Sequence, residues 1–150
     1  MTDTAPSVDG RTIGLAHYAG RAVLERVLAR HGATFQQQIT LRAAVTADGP
    51  LERGALVEQV THALKTEAAD VHATVDGLLA AELLAADGTL VRPTDAGREL
   101  FAVVGTETGE ISARIYAGIP PEDLATTGHV LARVTERAEA ELAELARASR

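Results

Sequence analysis

The sequence predicts a mainly α-helical fold in which a helix-turn-helix and a very short β element lie between long helices. The stretch 51–100 has the pattern of a helix, a turn, a second helix, a short β element and a third helix. The chain is 46% hydrophobic but only 3% aromatic, so its core must be built from aliphatic side chains, which suit helix packing. Its 150 residues are enough for one compact domain.

The N-terminal third predicts two helices after a short arm. Residues 1–10 are polar and contain Pro and Gly, which predicts a flexible arm. Apolar residues then recur at helical spacing from Arg11 to His31, and Gly32 predicts a stop. Thr34, with Gln37 three residues later, has the pattern of a capping box and starts a second helix that extends to about residue 45.

The middle third predicts the helix-turn-helix. Asp48, Gly49 and Pro50 form a turn, and a third helix is expected over 51–64. Thr66 is the predicted N-cap of the next helix, over about 67–85, because acidic residues in its first turn suit the helix dipole. A turn at 87–88 and one short strand at 89–92 follow. The helical spacing of these two helices predicts the following core residues: Leu56, Val57, Val60, Val71, Val75, Leu78 and Leu79.

The last third predicts two long amphipathic helices. Thr94 is the expected N-cap of the first, which ends near Gly118, and Pro121 lies in the first turn of the second. We expect each to be roughly 30 Å long, which is more than one small core needs. Long apolar stripes of this kind predict packing against a second copy, and hence a homodimer. The alternative is a self-contained helical bundle.

Two local stretches carry a family resemblance. Residues 71–84, VHATVDGLLAAELL, have the pattern of a DNA-recognition helix and the turn after it, and residues 92–100, RPTDAGREL, that of the exit from a β wing. With the final TERAEAELAELA, the chain resembles the MarR family of winged-helix regulators over about residues 13–146. The resemblance implies a winged helix-turn-helix with a short β wing and long N- and C-terminal dimerisation helices. It also implies a single MarR-like domain over 11–150, with the winged helix at about 34–100 and dimerisation helices at about 11–31 and 101–149.

The resemblance implies a function and a set of residues. The function is that of a homodimeric transcriptional regulator that binds double-stranded DNA at a pseudo-palindromic operator and responds to a small aromatic or anionic effector. The candidate DNA-binding residues are Arg53, Lys65, Thr66, His72, Thr74, Arg92 and Arg98. The candidate effector-binding residues are His17, Tyr18, Arg21, Gln37 and Tyr116. The simpler interpretation of this second set is that its polar groups are paired across the dimer interface.

The chain also departs from the family pattern. It has no Lys or Arg between Thr66 and Val91, and His72 and Ala73 stand where the family usually has Ser-Arg. The wing is expected to be compressed into residues 86–92, and Glu82, in place of a usual Gly, is expected to lengthen the recognition helix by a turn. Phosphate anchoring must then come from four basic residues at the edges of this stretch, and DNA binding is expected only if these four lie on one face: Arg53, Lys65, Arg92 and Arg98.

The net charge and the absence of catalytic motifs limit which other functions are expected. The net charge of −7 argues against non-specific nucleic-acid binding. It leaves open an alternative function, in which the chain is a winged-helix scaffold that has lost DNA binding and now serves as a small-molecule-binding or protein-interaction module. No GxSxG, HExxH or P-loop is present, so no enzyme is predicted. The five His lack metal-ligand spacing and Cys is absent, so neither a metal nor a cofactor is expected. Without a signal peptide or an apolar span, a cytoplasmic protein with no membrane partner is expected.

Overall fold

The computed structural model describes residues 5–150, and within that range the chain forms six helices and three short strands. The elements are α1 (Gly10–Arg30), α2 (Phe35–Thr46), β1 (Leu51–Glu52), α3 (Arg53–Leu64), α4 (Ala68–Ala80), β2 (Leu84–Asp87), β3 (Leu90–Pro93), α5 (Asp95–Tyr116) and α6 (Pro121–Ala148). Residues 1–4 of the predicted arm lie outside the described residues, and α1 begins at the arm's last residue. The chain divides into two compact units, one ending at Ile111 and one over Ser112–Arg150.

Side-chain caps fix the starts of the first two helices. Asp9 Oδ1 accepts a hydrogen bond from the Thr12 backbone N–H at 2.8 Å, and this bond is the main reason that the pKa of Asp9 lies below its ordinary value. The capping box predicted at α2 is confirmed. The Gln37 backbone N–H donates to Thr34 Oγ1 at 3.2 Å, and the Thr34 backbone N–H donates to Gln37 Oε1 at 3.0 Å.

The β region is larger than the sequence predicted. The strands form an antiparallel sheet in the order β1-β3-β2, with Leu51 opposite Val91 and Leu84 opposite Pro93. The expected start of the third helix at Leu51 is therefore wrong, because residues 51–52 pair with β3. The expected compressed wing is also wrong, because β2 and β3 form a hairpin from residue 84 to residue 93. Residues 84–87, LAAD, favour helix by intrinsic propensity, and pairing with β3 overrides that preference.

The end of α4 also differs from the prediction. We expected the helix to continue to about residue 85, but it ends at Ala80 because Glu82 adopts a left-handed conformation with φ of 57°. The backbone N–H of Glu82 donates to Leu79 O at 3.1 Å, and that of Leu83 donates to Leu78 O at 2.9 Å. This pair of bonds is a Schellman motif, so Glu82 terminates the helix in the way that Gly usually does.

The start of α4 corrects the predicted cap. The N-cap residue is Glu67, and its side chain makes no capping hydrogen bond. The hydroxyl of Thr66 instead donates to Asp70 Oδ2 at a long 3.5 Å. The first turn of α4 is therefore stabilised mainly by the negative charge of Asp70 near the positive end of the helix dipole.

The core of the first unit lies where the helical spacing predicted it. One buried cluster joins α2, α3, α4 and the sheet, and its members from α3 and α4 are the expected Leu56, Val57, Val60, Val71, Val75 and Leu78. A smaller cluster joins α1 to the first half of α5 through Val27, Leu28 and Val104. The larger cluster holds α4 with one face inward and the opposite face in solvent.

The start of α5 is fastened to the C-terminal turn of α4. The backbone N–H of Thr94 donates to Leu83 O at 3.1 Å, and its hydroxyl donates to Glu82 O at 2.7 Å. The same hydroxyl accepts from the Gly97 backbone N–H at 3.0 Å, which confirms Thr94 as the N-cap of α5. A Cβ placed on Gly97 would lie 2.1 Å from Leu83 O, so only glycine permits this approach of the two segments.

The second unit exposes a long apolar stripe. Helix α6 has 28 residues, and none of them is buried. Large apolar side chains recur along it at spacings of three, eight and three residues, which place them on one side of the helix, and all are exposed: Leu131, Val134, Leu142 and Leu145. Within residues 5–150 no helix has the length and apolarity that a membrane crossing requires.

We predict that Gly97→Ala destabilises the first unit by roughly 1–3 kcal/mol, since the added methyl group must displace backbone rather than a flexible side chain. Thermal or denaturant unfolding followed by circular dichroism measures this loss. The matched control is Gly105→Ala in the same helix, where a Cβ meets no atom within 4 Å. That control should gain up to about 1 kcal/mol from helix propensity. Equal stability of the two variants would contradict the close approach.

We also predict that Glu82→Gly stabilises the chain by about 1 kcal/mol, because glycine adopts the left-handed conformation at residue 82 without a Cβ penalty. The control is Ala81→Gly one residue earlier, where φ is −81° and glycine only adds freedom to the unfolded chain. That variant should lose stability in the same unfolding experiment. A loss at both positions would show that residue 82 is not left-handed.

Candidate nucleic-acid interface

The solvent face of α4 is the candidate recognition surface. The buried residues of α4 are Val71, Val75 and Leu78, spaced by four and three residues. The opposite face carries Ala69, Ala73, Asp76 and Ala80, which are all exposed and follow one another at spacings of four, three and four. We call these four residues the outward face of α4. It presents three methyl groups and a single charge, and that charge is negative.

Arg53, the first residue of α3, bonds to α4 beside this face. Its Nη2 donates to Asp76 Oδ1 at 2.7 Å and to the backbone oxygen of His72 at 3.1 Å, and its Nε donates to His72 Nδ1 at 3.2 Å. The Arg53 side chain is 31% exposed and that of Asp76 is 67% exposed, so the carboxylate is the more solvent-accessible partner. The positive charge predicted for DNA binding is therefore balanced within the interface.

The same contacts define the tautomer of the neutral His72 ring. Because Nδ1 accepts a hydrogen bond from Arg53 Nε, the neutral ring carries its proton on Nε2. His72 is exposed on α4, one residue before Ala73 of the outward face. It therefore offers a hydrogen-bond donor at the edge of that face.

Three other candidate DNA-binding residues lie on or next to α4. Lys65 has a left-handed backbone, with φ of 54°, in the turn between α3 and α4, and its Nζ donates to the backbone oxygen of His62. Thr66 is half-buried beside it. The hydroxyl of Thr74 bonds to Gln36 Oε1 of α2 and to the Asp70 backbone oxygen, both at 3.0 Å, so Thr74 faces α2 rather than the outward face.

The last two basic candidates lie beyond α4. Arg92 is exposed on β3, where it alternates with the buried Val91 and Pro93 and therefore points away from the core. Arg98 is exposed in the first turn of α5. The turn of the hairpin adjoins the start of α3, because the Arg53 backbone N–H donates to Thr89 O at 3.0 Å. Arg53 and Lys65 stand at opposite ends of α3, roughly 18 Å apart along its axis.

The candidate effector residues fall into separate places. On α1, the rings of His17 and Tyr18 contact edge to face with centroids 5.9 Å apart. Arg21 stacks on the ring of Phe35 at 4.2 Å and pairs with Glu25 at 3.1 Å. Gln37 is occupied by the α2 capping box, and Tyr116 belongs to the second unit.

Two residues of the site were missed by sequence reasoning. Asp76 is not among the residues predicted for the site, and its bond to Arg53 joins residues 23 positions apart. Phe35 was not noted at all, although it stacks with Arg21 across the turn between α1 and α2. Neither pair has helical spacing, so only the three-dimensional packing brings the partners together. Among residues 5–150, no three His, Asp or Glu side chains gather in an arrangement that suits a metal ion.

Comparison with solved structures shows which fold this is. Staphylococcus aureus MarR, in complex with salicylate and kanamycin, superposes with a TM-score of 0.75 at 17% identity, covering 87% of this chain and 90% of that chain. Escherichia coli MarR in its reduced form gives 0.68 at 16% identity, covering 86% and 94%. The chain has the MarR fold. Bordetella bronchiseptica BpsR, whose DNA binding is regulated by 6-hydroxynicotinic acid, gives 0.68 at 20% identity, covering 87% and 99%.

The sequence comparisons add nothing to this likeness. No protein-family model matches the chain, and no curated protein matches it. The predicted winged helix-turn-helix with long terminal helices is confirmed as a fold. In the MarR fold, α3 and α4 form the helix-turn-helix, and β2 and β3 form the wing.

Proposed function

We propose that this protein is a DNA-binding transcriptional regulator of the MarR type. The observation that carries the proposal is the outward face of α4: the second helix of a helix-turn-helix, held by a buried core on one side, with small exposed side chains on the other. A helix presented in this way fits the major groove of B-DNA, which is about 12 Å wide. The hairpin beside it places Arg92 in solvent, where a phosphate or a minor groove is within its reach.

The proposed contacts divide by their chemistry. Arg92 and Arg98 bind phosphates, because both are exposed and lie outside the Arg53–Asp76 pair. Lys65, Thr66 and the amides at the start of α4 bind the backbone where that helix begins. His72 donates from Nε2 to a base edge. With so few cations, affinity for DNA of any sequence is low, and it falls less steeply with salt than that of strongly basic regulators.

A second copy of the chain completes the proposed regulator. The exposed apolar stripe on α6 has the spacing of a helix that packs against another helix, and Leu145 at its end is 63% exposed. Ile115, Tyr116 and Ile119 extend the apolar surface of the same unit. A homodimer built through these residues carries two copies of α4, which fits a pseudo-palindromic site with half-sites about one helical turn apart.

An effector site on α1 belongs to the same proposal. Arg21 and Phe35 form a stacked cation–aromatic pair, with Tyr18 exposed one turn earlier on α1. Such a set suits a small aromatic or anionic ligand of the salicylate and 6-hydroxynicotinic acid kind, which the S. aureus and B. bronchiseptica proteins bind or respond to. Binding would shift the population between two dimer arrangements and so change DNA affinity.

We predict a dimer at micromolar concentration in size-exclusion chromatography with light scattering. Leu142→Glu combined with Leu145→Glu should give a folded monomer, since each substitution places a charge in the apolar contact. The control is Ala140→Glu, which adds the same charge to the opposite face of α6 and should leave the dimer intact. A monomeric wild-type protein would refute the homodimer.

We predict specific retardation of the protein's own upstream DNA over a scrambled duplex at two salt concentrations. Arg92→Ala and Arg98→Ala should each reduce the magnitude of the slope of log affinity against log salt by about 1.8, which is about 0.9 for each of the two phosphate contacts that the dimer loses. Arg26→Ala on α1 is the matched control and should leave the slope unchanged. If wild-type protein fails to distinguish the two duplexes at low salt, the scaffold that has lost DNA binding becomes the better description.

A further inference from the structure

The charge of the outward face poses a problem for any helix that enters a groove. Asp76 is its one ionised residue, and DNA repels a carboxylate. Arg53 does not need Asp76 as a structural partner, because the Arg53 side chain is partly exposed and water can hydrate its guanidinium. The geometry of the Arg53–Asp76 pair instead suggests that the carboxylate has a role in recognising DNA.

Arg53 both neutralises and orients Asp76. Its Nη2 lies 2.7 Å from Oδ1, and the arginine side chain is about half as exposed as that of its partner. The two bonds from Arg53 to His72 fix the guanidinium against the backbone of α4. The carboxylate is therefore held through Oδ1, which leaves Oδ2 as the oxygen that can accept a further hydrogen bond, and the pair has no net charge to repel DNA.

A carboxylate in the major groove has one suitable partner. It can only accept hydrogen bonds, so it needs a donor on the base edge. Guanine presents two acceptors there and thymine presents an acceptor with a methyl group. The adenine amino group lies between two acceptors, N7 of its own ring and O4 of the paired thymine, and both repel a carboxylate. The cytosine N4 amino group has an acceptor on one side only, which is O6 of the paired guanine.

We propose that Asp76, oriented by Arg53, recognises the N4 amino group of a cytosine in each half-site, a specificity determinant that rests on the proposed DNA-binding function. The three alanine methyl groups of the outward face lie on either side of Asp76 along the helix. They fit thymine methyl groups, which are the apolar features of the major groove. The half-site is accordingly a short pyrimidine-containing element with one required C·G pair.

The test starts with selection of bound duplexes from a randomised library by the full-length wild-type protein. We expect one C·G pair per half-site whose replacement by T·A weakens binding roughly tenfold. Thymine keeps the pyrimidine shape and substitutes the O4 acceptor for the N4 donor. Asp76→Ala should bind the C·G and T·A duplexes equally while it retains preferences at the other positions.

Two further variants separate recognition from general charge. Asp70→Ala removes the same charge from the same helix, away from the outward face, so it should keep the cytosine preference. Arg53→Met keeps the length of the side chain and removes the guanidinium, so it should weaken discrimination at the same base pair. The only other base pair affected should be the one that His72 contacts, because Arg53 also sets the tautomer of His72. Circular dichroism melting of each variant checks that α4 is still folded.

The possible outcomes are distinct. If Asp76→Ala keeps the cytosine preference of the wild-type protein, Asp76 does not recognise the base, although DNA binding stands. If the wild-type selection gives no C·G requirement, the proposal is likewise overturned. If the wild-type protein prefers no duplex over a scrambled one, the proposed function fails and this inference fails with it.

Discussion

The candidate interface depends on the fastening between the end of α4 and the start of α5. Glu82 turns the chain in the left-handed conformation, and Thr94 bonds to the carbonyl oxygens of both Glu82 and Leu83. Gly97 allows the two backbones to approach closely enough for these bonds to form. This one junction closes the base of the β2–β3 hairpin and ties it to the C-terminal end of α4. The position of the wing beside α4 follows from it, while the buried core decides which face of the helix meets solvent.

The Arg53–Asp76 pair reconciles a DNA-binding fold with an acidic chain. A recognition helix without Lys or Arg cannot gain affinity from phosphates along its length, so affinity must come from the flanks and specificity from the face itself. Neutralising Asp76 with a neighbouring arginine lowers the cost of bringing its carboxylate to DNA. The same bond removes Arg53 from the phosphate contacts that the sequence assigned to it. In the proposed regulator, low affinity and a marked base preference are both expected from this arrangement of charges.

The sequence predicted those features that depend on residues close together in the chain. The capping box at Thr34, the N-cap at Thr94 and the buried spacing of Val71, Val75 and Leu78 all depend on residues within one or two helical turns, and all are confirmed. The predictions were wrong where residues distant in the sequence determine the local structure. Strand β2 forms only because β3 pairs with it, and Glu82 occupies a conformation that its side chain does not favour. The Arg53–Asp76 bond, between two helices, has no periodic signal at all.

The absence of cysteine allows the central claim, that the outward face of α4 enters the groove, to be tested directly. Ala73→Cys places a unique thiol at the middle of that face, to which an iron chelate can be attached for directed hydroxyl-radical cleavage of bound DNA. The account predicts strong cleavage at two positions about one helical turn apart, centred on the major groove of each half-site. Cleavage that is absent from bound DNA, or spread evenly along it, would contradict the account.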